Sequence, residues 1–115
     1  RAIESCAPAA VPAELYSNRS AVLCALGRYE EALRDADGAV SLSPQWSRGH
    51  SRRGNALHAM CKKGAPRWAE ATQAYIKALE YDPSNAVVKK ALAAIESEAN
   101  AVAARAQPNG AAPGV

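Results

Sequence analysis

Ser17-Asn-Arg-Ser-Ala-Val-Leu-Cys-Ala25 recurs 34 residues later as Ser51-Arg-Arg-Gly-Asn-Ala-Leu-His-Ala59. Ser17/Ser51, Arg19/Arg53, Leu23/Leu57 and Ala25/Ala59 coincide. Further along, Tyr29-Glu-Glu-Ala32 matches Trp68-Ala-Glu-Ala71 at an offset of 39, and Ala39/Ala78 and Pro44/Pro83 keep that offset. The two offsets differ by five residues, which places an insertion between the matched blocks, at Cys61-Lys-Lys-Gly-Ala-Pro-Arg67. The unit is therefore 34 residues long, with one lengthened loop. A period of this size marks supersecondary units that bury their apolar faces by stacking.

Each unit reads as two helices. The first is expected over about Ala13–Leu26, ending at Gly27, a residue suited to a left-handed C-terminal cap. The second is expected over Tyr29–Leu42 and stops before Pro44. A third over Gln45–Lys62 ends near Gly64, and a fourth over Pro66–Tyr81 stops at Asp82-Pro83. In the second helices, Ala32, Ala36 and Ala39 recur as Ala71, Tyr75 and Ala78, the i, i+4, i+7 spacing of one helical face. A fifth helix is expected over Asn85–Arg105. Its stripe is Val88, Ala91, Leu92, Ile95, Ala99 and Val102, with Lys89, Lys90, Glu96 and Glu98 toward water. An amphipathic terminal helix covers the open end of a stacked array. The resulting division is 1–12, the remnant of a preceding repeat and a loop; 13–83, two repeats (13–46 and 47–83); 84–106, a capping helix; and 107–115, a disordered tail.

Composition agrees with an all-α fold. Of 115 residues, 28 are Ala, aromatics are 5% and Phe is absent, which disfavours pleated sheets. An apolar fraction of 49% is too high for a wholly disordered chain. No apolar run approaches the ~20 residues of a membrane span. Nor does a basic segment with an apolar core open the chain as a signal peptide would. Cys6, Cys24 and Cys61 have no metal-ligand spacing and read as reduced, partly buried thiols of a cytoplasmic protein. His50 and His58 lie two turns apart with no acidic partner at i+4, so neither a metal nor a cofactor is expected. His50 falls where a packing aromatic belongs. No nucleophile elbow or phosphate loop is present, and no enzymatic activity is expected.

Charge is distributed unevenly. The net charge is +3, yet residues 45–67 carry Arg48, Arg52, Arg53, Lys62, Lys63 and Arg67 with no acid. Such a local basic field calls for an anionic partner. Arg48, Arg52, Asn55 and Ala59 fall at i, i+4, i+7, i+11, one stripe of the third helix. Glu14, Asn18, Ala21 and Ala25 form the equivalent stripe of the first. Arg53 lies off the stripe and copies Arg19, a structural position. Aromatic residues interleaved for base stacking are nearly absent, so nucleic acid is not the expected partner, nor is a membrane.

The pattern A-x3-Y-x2-A-x4-P (Ala71, Tyr75, Ala78, Pro83) in a 34-residue helical hairpin resembles the tetratricopeptide repeat, TPR. The first unit matches less fully, with Ala36 for the usual aromatic and Ser20 for a smaller residue. Leu15–Ala21 and Pro44–Arg53 are similar to segments of the Hop-type stress-inducible co-chaperones. In that family a carboxylate clamp grips the C-terminal Glu-Glu-Val-Asp of heat-shock chaperones. The resemblance implies that Asn18, Arg48 and Arg52 are clamp residues, Arg48 standing where the family has Lys. Two more clamp residues belong to a first repeat that this chain does not supply. With Asn55 on the same stripe, the expected peptide-binding set is Asn18, Arg48, Arg52 and Asn55. The expected partner is the C-terminal peptide of a heat-shock chaperone or another acidic segment, bound by a monomer. Two other readings stay open: a scaffold for an internal segment of a partner, and a docking module of a prolyl isomerase, phosphatase or ubiquitin ligase. Fewer than three complete repeats implies marginal stability.

Overall fold

The structure, a computed structural model, describes residues 12–106. The expected turn at Arg1–Cys6 and the expected disordered tail at 107–115 lie outside the described residues. Within them every regular element is an α-helix: α1 (Ala13–Ala25), α2 (Tyr29–Leu42), α3 (Ser47–Lys62), α4 (Trp68–Tyr81) and α5 (Ala86–Ala106). No helix is long and apolar enough to cross a membrane.

The helix ends follow local chemistry. Gly27 at φ +82° and Gly64 at φ +105° take the left-handed conformation that closes α1 and α3. Ser43 and Asp82, each before a proline, leave the helical region at φ −138° and −147°, ending α2 and α4. Asn85 caps α5, its Oδ1 accepting the Val88 N–H at 3.1 Å. Two starts differ from the expected ones. The third helix begins at Ser47, not Gln45, because Trp46 is extended at ψ 113° after a turn closed by Trp46 N–H to the Ser43 carbonyl, 3.0 Å. The fourth begins at Trp68, not Pro66, because Arg67 sits outside the helical region at φ −116°.

The hairpins α1–α2 and α3–α4 stack side by side, α2 against α3, with α1 also touching α3 and α5 lying on α4. Small residues make the contacts close. Ala32, Ala36, Ala39, Ala71 and Ala78 are fully buried. A Cβ added at Gly49 would stand 3.4 Å from Val40, so α2 and α3 meet nearly backbone to side-chain root. The main cluster gathers Leu57, Met60, Tyr75, Val88 and Ile95, which brings α5 onto the open end of the second hairpin. His50 is buried, its Nε2 2.7 Å from the Pro44 carbonyl and its ring stacked on Tyr81 at 5.5 Å. It is thus the core residue expected.

The two hairpins solve the same packing problem with opposite sizes. In the first, Ser20 meets α2 at Ala36 level and its Oγ donates to the Ala32 carbonyl at 2.8 Å. In the second, Gly54 replaces Ser20 and Tyr75 replaces Ala36. The Tyr75 ring lies where a side chain at 54 would be: a Cβ there would come within 2.6 Å of Cδ1 and Cε1. An Ala in a helix interior ordinarily gains roughly 1 kcal/mol over Gly. Here Gly54→Ala is expected to lose about 1–3 kcal/mol through overpacking. Urea denaturation followed by circular dichroism reads the sign, and a stabilised variant would contradict the packing described.

Candidate functional site

The six cations of the basic window divide by partner. Arg53 donates to Asp37 at 2.8 Å, as Arg19 does to Asp35 through two bonds of 2.9 Å each. Arg67 grips Glu70 at 2.7 and 3.2 Å. Arg19 therefore braces α1 to α2 within the first unit, and Arg53 braces α3 to α2 across the two units. Arg48, Arg52, Lys62 and Lys63 form no ion pair among the described residues. They are four cations on or beside one stripe of α3.

Arg48 and Arg52 face a cleft of about 510 Å³ between the start of α3 and the corner that joins α4 to α5. Trp46, Ser47 and Ser51 share their wall, and Tyr81, Asp82, Asn85 and Val87 close it from the other side. Arg48 is exposed, with its guanidinium over the Trp46 ring at 5.7 Å. Arg52 is half-buried and reaches α1, its Nε donating to Ser17 Oγ at 3.3 Å. Burial, and then the charge of Arg48, push the Arg52 guanidinium below its ordinary pKa. It stays charged at neutral pH. Two like charges, one of them partly desolvated, therefore share a cleft without an answering carboxylate bonded to either. Asp82, the acid in the wall, accepts from Ser84 Oγ at 3.2 Å. The arrangement can hold a carboxylate through paired N–H donors.

A second cleft of about 540 Å³ lies further along α3. Cys24, Tyr29, Asn55, His58, Ala59, Lys62, Lys63 and Tyr75 line it. Asn55 is exposed, and its Oδ1 accepts from the Tyr75 hydroxyl at 2.9 Å. That bond engages the carboxamide through its oxygen. Tyr75 Oη is also 3.2 Å from His58 Nδ1, and His58 Nε2 is 2.9 Å from Glu98 Oε1 on α5. Glu98 is thus half-buried on His58 rather than turned only to water, a correction to the helical-face reading. Burial raises the Cys24 thiol pKa, opposed by Arg52, and raises that of Cys61. Both thiols are free. Among the described residues no group of three metal-ligating side chains comes together.

Of the expected set, Arg48 and Arg52 share the first cleft, and Asn55 lines the second. Asn18 is exposed on α1, in neither wall, next to the Ser17 hydroxyl that Arg52 reaches. The walls contributed by Tyr81, Asn85 and Val87 have no signal in the sequence repeat, because they come from a corner that only folding brings to α3.

No protein-family model matches the chain. The chain is 45% identical over 97 residues to the Hsp70-Hsp90 organizing protein of Triticum aestivum, covering 84% of this chain and 16% of that protein. It therefore spans about a sixth of that relative's length. Among solved structures, the first TPR of Spaghetti (RPAP3) bound to the HSP90 peptide SRMEEVD superposes with a TM-score of 0.69 at 28% identity, covering 76% of this chain and 68% of that one. The second TPR domain of human RPAP3 in complex with the HSP70 peptide SGPTIEEVD gives 0.66 at 29% identity, covering 74% and 67%.

The Tyr75 hydroxyl contacts both Asn55 and His58. Tyr75→Phe keeps the ring and leaves both partners short of a bond. It is expected to cost about 1–2 kcal/mol of stability, read as a lower urea midpoint at unchanged m-value.

Proposed function

We propose, from the premise that this chain is a tetratricopeptide-repeat array similar to those of the Hsp70–Hsp90 organizing proteins, that it binds the free C-terminus of an acidic peptide, that of a heat-shock chaperone, without catalysing a reaction. The observation that carries this reading is the pair Arg48 and Arg52. They stand in one cleft, and neither forms an ion pair among the described residues, Asp82 in the cleft wall included. The other arginines of α1 and α3 are braced: Arg19 by Asp35 and Arg53 by Asp37. The solved neighbours both carry peptides ending in Glu-Glu-Val-Asp, whose terminal carboxylate is the ligand such a pair suits.

Arg52 supplies the half-buried guanidinium and holds its place through Ser17. Arg48 supplies a second, exposed charge over the Trp46 ring. Asn18 adds an uncharged donor from α1, one residue from Ser17 on the sequence. Asn55 offers its carboxamide N–H₂ to the peptide backbone further along. Each charge-assisted bond contributes roughly 1.5–3 kcal/mol. A micromolar complex needs about −8 kcal/mol, so two or three such bonds give modest affinity after the peptide is ordered. We read 13–46 and 47–83 as two repeats and 84–106 as their cap. The stacked alanines of α2 and α4 and the burial of Val88 and Ile95 support that division. A cytoplasmic location fits a module whose partners are chaperone tails.

Isothermal titration calorimetry with SGPTIEEVD checks the reading. Arg52→Ala is expected to weaken binding about tenfold, as one lost charge-assisted bond dictates, with helicity retained. Amidating the peptide's C-terminus is expected to weaken it at least as much. Equal affinity for the acid and the amide would mean that an internal segment is bound instead.

A further inference from the structure

We propose that the C-terminal end of α3 carries a second anion-binding subsite, where Lys62 and Lys63 take an acidic side chain of the same peptide about six residues before its terminal carboxylate. This rests on the clamp reading above and deepens it.

Three observations converge. Arg48, Arg52, Asn55, Ala59 and Lys62 keep the i, i+4, i+7, i+11, i+14 spacing, so Lys62 lies on the same stripe as the two arginines. Lys63 stands beside it on the opening loop, and both lysines are exposed, without an ion pair among the described residues. The cleft they line is as large as the first, about 540 Å³, and no carboxylate is among its lining residues. Asn55 lines that cleft with its oxygen already taken by Tyr75, so what it has to offer a peptide is its amide donors. Glu98, on α5, is engaged by His58.

Length fixes the position read. From Arg48 to Lys62 the helix rises about 21 Å, at 1.5 Å per residue. An extended peptide covers that distance in about six residues. A peptide anchored by its carboxylate at Arg48 and Arg52 would therefore present its sixth preceding side chain to Lys62 and Lys63. Charges at both ends of one helix would reward an acid at a set distance from the chain end. The competing account is that lysines at a helix C-terminus only complement the helix dipole. In that case the peptide's upstream residue is indifferent.

The full chain is titrated at low salt with two forms of SGPTIEEVD, in which the Pro, sixth before the terminal Asp, is replaced by Glu or by Ala. The Glu peptide is expected to bind about three- to fivefold tighter than the Ala peptide, a preference that shrinks with added salt. On Lys62→Ala/Lys63→Ala the ratio is expected to fall to about one. Equal affinities on the unmodified chain, or a ratio that survives in the double variant, overturn the subsite. Arg52→Ala separates the two readings. If it weakens both peptides while they stay equal to each other, the clamp stands and the subsite falls. If it changes neither, the clamp falls, and the set distance from the chain end that defines the subsite falls with it, even where the lysine-dependent preference persists. If neither peptide binds, both fall.

Discussion

The Tyr75 ring on the bare backbone of Gly54 is the contact on which the arrangement depends. It sets how closely α3 can lie on α4, and so how α3 is rotated about its own axis. That rotation decides which side chains of α3 are inside and which are outside. With Tyr75 in place, Ala56, Leu57 and Met60 turn into the core and Arg48, Arg52, Asn55 and Lys62 take the remaining side. The same residue then reaches through with its hydroxyl to hold Asn55 by its oxygen. One side chain thus fixes both a helix position and the donor direction of a groove residue.

Charge is sorted by the same geometry. Cations on the outer flank of the inner helices, Arg19 and Arg53, find an acid on the neighbouring helix 16 residues away in sequence. Those on the stripe of Arg48 and Arg52 find none among the described residues. A surface rich in unselected ion pairs would pair all of them, since long basic side chains reach acids easily and cheaply. The contrast is what gives a binding interpretation its weight, more than the total positive charge does.

Much of this was readable from the chain. Two offsets and one insertion fixed the number of hairpins, and Gly27, Gly64, Pro44 and Pro83 marked helix ends because their backbone chemistry is local. The starts of α3 and α4 were less legible. Trp46 stays extended while the Ser47 hydroxyl donates to the Ala78 carbonyl at 2.7 Å, a bond made 31 residues away that no local rule contains. The helical spacing of α5 turns Glu98 toward solvent, yet a long side chain at the edge of a stripe reaches inward when a histidine waits there. The arginine stripe was visible because i, i+4 spacing survives folding unchanged. The opposing wall, Tyr81, Asn85 and Val87, was not, because it exists only once α5 has turned back on α4.

The bond between His58 and Glu98 has a consequence for how the last helix sits. A row of alanines and short aliphatics is nearly self-similar on sliding by one turn, so apolar packing alone would tolerate α5 at several heights. Glu98 meets His58 at only one of them. The polar pair therefore acts as a detent, fixing the axial setting of a helix whose greasy side could not fix it, and with it the position of Asn85 and Val87 at the mouth of the groove.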